Sequence, residues 1–338
     1  MALRTALTRA RGFATMVKAA DASVTAQLSM FPEFKESEEL LREGQAARAV
    51  PPLARMLQVC ESFSPALATE AAWRLGNVHA SIGETKQAIA LYQKDATFGK
   101  EQSIRAALLA GDASLARSLI TGPGSIATDN TPLYTPLVDW LDGQSIDEPN
   151  IDATDAYVQV HQALLLLAAR SSVDSTTRAF TVNAAVAEKV VGVWTAAAET
   201  TSDDDLKAHI FANIGELHML QAQYEAGMDA LSFALKHQEV HPSQRLPLAR
   251  TLALLATGYH RLGKAVSAEG LFTSALEKYA QGPLTSVERA AFGKAQMAYG
   301  DLLCQWEKRE AVGSKNIAAG SATLGTAPYL WSFVHLPL

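Results

Sequence analysis

The chain has 338 residues, 48% of them hydrophobic and 7% aromatic, with 29 Lys and Arg set against 35 Asp and Glu. That length exceeds one ordinary core, and an apolar, alanine-rich composition with few β-branched runs suits packed helices. A formal charge of -6 supplies no uniform cationic surface for a phosphate backbone, which excludes nucleic acid as an expected partner.

Residues 1–20 differ in make-up from the rest of the chain. MALRTALTRARGFATMVKAA carries Arg4, Arg9, Arg11 and Lys18, and the first acid is Asp21. An Arg-rich, acid-free amphipathic segment has the character of a mitochondrial targeting peptide. Arg11-Gly12-Phe13 ahead of Ala14 resembles a matrix processing site, and a cut there removes three positive charges. Both a cleaved and a retained leader stay open.

From residue 21 to 121 the pattern is helical, and three stretches of the whole chain overlay on one another. LGNVHASIGETKQAIALY starts at Leu75, IGELHMLQAQYEAGMDALSFAL at Ile214 and LATGYHRLGKAVSAEGLFTSAL at Leu255. Each opens on a small residue (Gly76, Gly215, Ala256), continues with a ring (His79, His218, Tyr259) and reaches a small turn residue (Gly83, Ala222, Gly263). A small position in the next helix (Ala88, Gly227, Ala268) then precedes a large one (Tyr92, Leu231, Phe272), with Tyr224 among the packing residues of the second copy. Small positions let helix backbones approach, the turn position favours Gly because a helix C-cap often has positive φ, and the large residues fill the groove. A helix, a tight turn and a second helix, repeated, is the unit of a solenoid, because one hairpin cannot bury its own apolar face.

The pattern resembles the tetratricopeptide repeat family, whose consensus places small, aromatic, Gly, Ala, aromatic and Ala residues at these offsets. Ala234 and Ala275 supply the final Ala, whereas Asp95 stands there in the first copy. Fainter copies begin at Leu40, with Gly44, Ala49, Leu53 and Met56, at Ala106, with Gly111, Ala116 and Ile120, and near Ala298. The later copies are spaced more widely than the usual period of about 34 residues, which is similar to the kinesin light-chain variety, as is HPSQRLPLA from His241. The resemblance implies an all-α fold, a right-handed α-solenoid of antiparallel helix hairpins, with protein partners.

Residues 122–153 collect Gly122, Pro123, Gly124, Pro132, Pro136, Gly143 and Pro149, and read as a linker holding one short apolar helix. A second array spans 154–312, beginning with two long helical patterns, about Thr154 to Arg170 and about Asp174 to Thr200. The apolar run from Ala163 to Ala169 is too short to cross a membrane and reads as a buried helix. Beyond Val312 the Gly, Ser and Ala content reads as a flexible tail, 313–338, ending in APYLWSFVHLPL. Tyr329, Leu330, Trp331, Phe333 and Leu336 then form either a docking peptide for a partner or a cap on the last hairpin.

Motifs of known chemistry fare poorly within this frame. GYHRLGKA from Gly258 matches a phosphate loop until Ala265, which lacks the magnesium-binding hydroxyl, and Tyr259 and Gly263 already have repeat roles. His237 and His241 are four apart, but Pro242 follows at once and the motif HExxH is missing, so no metal is expected. Cys60 and Cys304 have no metal or redox spacing and read as small buried hydrophobes. Glu36, Glu38, Glu39 and Asp203 to Asp205 read as acids at helix starts, favouring the dipole. Some family members clamp a carboxylate with an Asn on successive first helices. Asn77 holds that position in the first copy, but Glu216 and Thr257 replace it in the next two.

No catalytic constellation, cofactor or small-molecule substrate is therefore expected. The resemblance implies a scaffold held by protein–protein contacts, and with the N-terminal segment it points to the matrix side of the mitochondrial inner membrane. The most specific form is an accessory subunit of an F-type ATP synthase, similar to the helical peripheral-stalk subunits of algae and protists. A soluble matrix adaptor in import, chaperoning or assembly is the alternative, and a ribosome- or RNA-processing-associated factor a third, disfavoured by the acidic balance.

Overall fold

A computed structural model describes residues 22–43, 45–96, 99–121, 131–151, 153–173, 180–239, 245–281, 284 and 286–324. The basic N-terminal segment, Gly44, the stretch His241 to Gln244 and the aromatic C-terminal peptide lie outside them. The chain divides into two compact units between Val138 and Asp139. Among the described residues both are all-α runs of antiparallel helix hairpins, apart from one small β-ribbon.

The N-terminal unit contains α1 (Ala22–Leu28), α2 (Pro32–Arg42), α3 (Ala46–Glu61), α4 (Pro65–Ser81), α5 (Thr85–Tyr92), α6 (Gly99–Ala110) and α7 (Ala113–Thr121), and most of α8 (Thr131–Leu141). Helix starts follow local chemistry. Ser64 caps α4 by accepting from the Leu67 amide at 3.4 Å, with Pro65 at the first helical position, where its missing N–H costs nothing. Asp112 caps α7 by accepting from Leu115 at 2.9 Å. The core joins Leu53, Met56 and Cys60 of α3 to Leu67, Ala71 and Leu75 of α4. Glu36, Glu38 and Glu39 do not mark a helix start, because Pro32 begins α2 a turn earlier. Glu38 instead pairs with Arg74 at 3.4 Å and Glu36 with Arg55 at 3.2 Å, tying α2 to the helices beside it.

The C-terminal unit contains α9 (Ala156–Arg170), the strands β1 (Ser171–Val173) and β2 (Phe180–Val182), then α10 (Ala184–Thr200), α11 (Asp204–Leu220), α12 (Tyr224–Gln238), α13 (Arg245–Arg261), α14 (Ala265–Ala280), α15 (Ser286–Cys304) and α16 (Glu310–Leu324). Ala163 to Ala168 of α9 are buried, and the fully buried Trp194 of α10 donates its indole N–H to Val160 O at 3.2 Å. Asp203 accepts from the Leu206 amide at 3.0 Å and caps α11.

Two expectations are corrected. The helix read from about Asp174 starts at Ala184, because Ser171 to Val173 and Phe180 to Val182 pair antiparallel and Asn183 caps α10. Ser, Thr and Val suit strands, and Phe180 and Val182 are buried around an exposed Thr181. Nor does a tail begin at Gly313, since residues up to Leu324 form α16. Its small residues are packing surface. A Cβ on Gly300 would stand 2.6 Å from Gly313 O, and one on Gly293 2.8 Å from Gly320 O, so α15 and α16 touch backbone to backbone.

Hairpin turns share one geometry. Gly83, Gly111 and Gly263 have φ of 79°, 74° and 76°. The amide of the next residue reaches back five positions: Glu84 to His79 O at 2.8 Å, Asp112 to Ala107 O at 3.0 Å and Lys264 to Tyr259 O at 2.9 Å. That is the Schellman closure. Ala222 adopts it at φ 58° and Lys308 has φ 69°, conformations that cost a side-chain-bearing residue roughly 1–2 kcal/mol.

Two outcomes are expected in urea unfolding. Ala222→Gly raises stability by about 0.5 kcal/mol, relieved strain slightly exceeding the entropy added to the unfolded chain, while Gly83→Ala lowers it by about 1–2 kcal/mol. Opposite signs are also expected for two helical glycines. Gly270, with open space beside it, gains about 0.5–1 kcal/mol as Ala, whereas Gly300→Ala loses about 1–3 kcal/mol because the added methyl meets a backbone. Equal responses at Gly270 and Gly300 would refute the close contact.

Candidate interaction face and charged cavity

The repeat positions form an interlock of absent and present side chains. A Cβ on Gly76 would lie 2.7 Å from the Tyr92 ring, and one on Gly215 2.5 Å from Leu231 Cγ. Gly227 brings α12 against Gly215 O, where a Cβ would stand at 3.1 Å. In the next hairpin Ala256, Ala268 and Phe272 share one core with Leu302 of α15, and Ala275 is fully buried nearby on α14. Each second helix thus lies in a groove opened by small residues of the first.

The ring positions close the hairpins. His79 Nδ1 lies 2.5 Å from Glu84 Oε2 and His218 Nδ1 2.6 Å from Gln223 Oε1, while Lys264 sits over the Tyr259 ring at 5.4 Å. In all three the partner is the residue whose amide makes the Schellman bond, so side chain and backbone fasten the same two positions. The phosphate-loop look-alike from Gly258 is the end of α13 and its turn. Its Gly258 gives space to Met219 and Met228. His237 is a half-buried residue of α12, and its sequence partner His241 lies outside the described residues. Among the described residues no three His, Cys, Asp or Glu side chains are grouped to hold a metal. Cys60 and Cys304 are free thiols, and burial pushes the Cys60 pKa up.

The positions of a carboxylate clamp are otherwise occupied. Asn77 Oδ1 accepts from the Tyr92 hydroxyl at 2.9 Å, and Thr257 donates to Ala253 O at 2.9 Å. Glu216 is 4% exposed and accepts from Arg250 at 2.5 Å and from Lys294. Arg250, itself buried, also donates to Asn213 Oδ1 at 2.9 Å. One acid on α11 therefore binds bases on α13 and α15, the first helices of the two following hairpins.

Beside this network lies a cavity of about 330 Å³. Its ionisable lining is Glu216, Arg250, Arg261, Lys294 and the tyrosines Tyr224 and Tyr279, and apolar walls such as Leu254 and Ala295 complete it. Arg250, Arg261 and Lys294 share this lining with Glu216, and Glu288 also acts on Tyr279. The Tyr279 hydroxyl is buried with no hydrogen-bond partner among the described residues, and burial raises its pKa well above the usual phenol range. Burial also lowers the Lys294 pKa, although Glu216 opposes that change. Arg250, Lys294 and Tyr279 escape a sequence reading; the one local signal is a charged residue inside an otherwise apolar stretch, as with Arg250 in PLARTLALLA.

No family profile and no curated protein matches this chain. Among solved structures, the crystallised TPR domain of P58(IPK) aligns over 96% of this chain and 99% of its own length at 11% identity, with a TM-score of 0.21. A likeness that low carries no argument, and the hairpins themselves define the class: an all-α protein built of repeated antiparallel helix hairpins.

His209 on α11 reports on the network electrostatically. Burial, reinforced by the Arg250 guanidinium, pushes its imidazole down to about 4. An exposed His titrates near 6.5, so on acidification the unfolded chain takes up this proton first. The resulting stability is complete above about pH 6.5 and lost on descending to about pH 4. Urea midpoints should show the native chain losing about 2–3 kcal/mol more than His209→Gln across that window. Parallel pH profiles would show that His209 is not held neutral.

Proposed function

We propose that the protein is a non-catalytic scaffold subunit that works by protein–protein contacts on the faces of its hairpin arrays. The observation carrying this reading is the repeated interlock, in which glycines, alanines and rings are spent on holding helices together and successive first helices are left side by side. Such surfaces suit extended contacts with other polypeptides. The finer proposal sets it on the matrix side of the mitochondrial inner membrane, as an accessory subunit of the peripheral stalk of an F-type ATP synthase. The Arg-rich, acid-free N-terminal segment supports the compartment. No helix among the described residues is long and apolar enough to cross a membrane, in keeping with a peripheral attachment.

Native gel separation of detergent-extracted mitochondria from the source cells, with mass spectrometry of co-migrating proteins, tests both levels. A stalk subunit migrates with the synthase and stays with it through moderate salt. Recovery mainly in a small soluble fraction with varied partners would replace the subunit reading with that of a matrix adaptor, and nuclease-sensitive sedimentation would transfer it to the ribosome.

A further inference from the structure

α16 ends level with the cavity. Leu324, its last residue, shares a small core with Ala290 of α15, and a Cβ on Gly293 would stand 3.2 Å from the Leu324 amide nitrogen. Ala291, Lys294 and Ala295 line the cavity at that same height on α15. Adjacent helix positions are about 100° apart, so the chain leaves α16 roughly a third of the way around α15 from the cavity. On a helix of about 10–12 Å diameter that is a path of roughly 12 Å.

The sequence beyond Leu324 covers this distance. Gly325 comes first, then Thr326, Ala327 and Pro328, and then the aromatic run from Tyr329 to Phe333. Gly directly after a helix and Pro a few residues on are signals that stop it and turn the chain. An extended residue spans about 3.3–3.6 Å, which lets Tyr329 arrive at the cavity and Trp331 cross it.

Peptide and cavity also match in character. From Gly325 to Leu338 the sequence holds no Asp, Glu, Lys or Arg. In the cavity Glu216 is already paired with Arg250 and Lys294, so a neutral occupant breaks no ion pair. Leu220, Leu254 and Ala295 supply apolar wall, and the exposed Arg261 offers its guanidinium to a ring. A volume of about 330 Å³ is at the small end of ligand sites, suited to a few side chains of a peptide and too small for a folded partner. A segment tethered this close meets the cavity at an effective concentration in the millimolar range, well above that of a second copy in dilute solution.

We propose that the C-terminal peptide of this chain, Tyr329 to Phe333 with Trp331 at its centre, seats in the cavity between α11, α13 and α15. Its rings lie along Leu254 and Ala295 and cover the paired ions. The contact is intramolecular. It closes this stretch of first-helix surface to other polypeptides and does not depend on the identity of the host assembly.

Chymotryptic release of the tail from the whole chain, followed by intact mass, tests this, because a seated peptide must leave its seat to be cut. Rates are read at the bonds after Tyr329 and Phe333, which every variant keeps. The native tail is expected to be cut about tenfold or more slowly than a free synthetic peptide of residues 325–338. Leu254→Gln, on the wall, and Trp331→Ser, in the tail, should each speed release about fivefold to tenfold. Their double variant should be no faster than the faster single, since either change breaks the same contact. Trp331→Ser leaves the hairpin cores untouched, and Val266→Gln, at a position 81% exposed and outside the cavity lining, should release at the native rate. The assignment is overturned if the native tail is cut as fast as the free peptide, if protection survives either single variant, if the two variants multiply, or if Val266→Gln speeds release as they do. Protection that falls on dilution would overturn it in favour of a tail seated in a second copy.

Discussion

The distance between paired helices governs this structure, and missing side chains set it. Tyr92 lies where a Cβ on Gly76 would be, and Leu231 where one on Gly215 would be. Such contacts make packing directional: a second helix offered at another angle would meet side chains in place of a groove. The turns act on the same degree of freedom, because a left-handed residue and a bond reaching back five positions fix where the second helix begins. Once both constraints hold, first helices follow one another along one side of the C-terminal unit. The ion network and the cavity are consequences of that order.

Charge within such packing needs separate justification. Removing two ions from water costs several kcal/mol each, and well-packed apolar residues often stabilise a protein as much or more. The Arg250, Glu216 and Lys294 set is therefore poorly explained as a source of stability alone. What its geometry supplies is register across three hairpins: Arg250 reaches both Asn213 and Glu216 on α11, and Lys294 on α15 meets the other oxygen of the same carboxylate. Sliding α13 by one turn would break the Arg250 contacts to Asn213 and Glu216 together, and sliding α15 would break the Lys294 contact. An apolar interface of alanines and leucines would tolerate the slip far better, since its contacts are interchangeable.

Legibility in the sequence followed the range of the cause. The small-to-large pairs lie sixteen positions apart within one hairpin, as from Gly76 to Tyr92, and the turn glycine acts on its own backbone, so both leave a local pattern that repeats. Ala222 kept its place in that pattern although its φ of 58° is adopted against a side-chain penalty, which shows the turn being imposed by the hairpin. The β-ribbon was illegible because Ser171 to Val173 is only three residues long and follows a helix without a breaker. α16 was misread because glycine and alanine signal mobility when counted and close approach when paired, and the pairing partner lies on another helix. Arg250 and Glu216 are separated by 34 positions, and Lys294 and Glu216 by 78, spacings that no local period reveals.

α15 shows how one helix can serve three neighbours without compromise. Gly293 and Gly300 are seven apart, so they return to the same face after about two turns and meet Gly320 and Gly313 of α16. Leu302 points to a different partner, joining the core of Ala256, Ala268 and Phe272. Lys294 and Ala298 take a further face, lining the cavity. The glycines of the first face let the two backbones approach, with Ile317 and Leu324 of α16 seated beside Gly300 and Gly293. This pair differs from the hairpins before it in having glycines on both helices, Gly293 and Gly300 facing Gly320 and Gly313. α16 therefore completes the hairpin by matching a glycine surface, and α15 retains the first-helix role that carries Lys294 to Glu216.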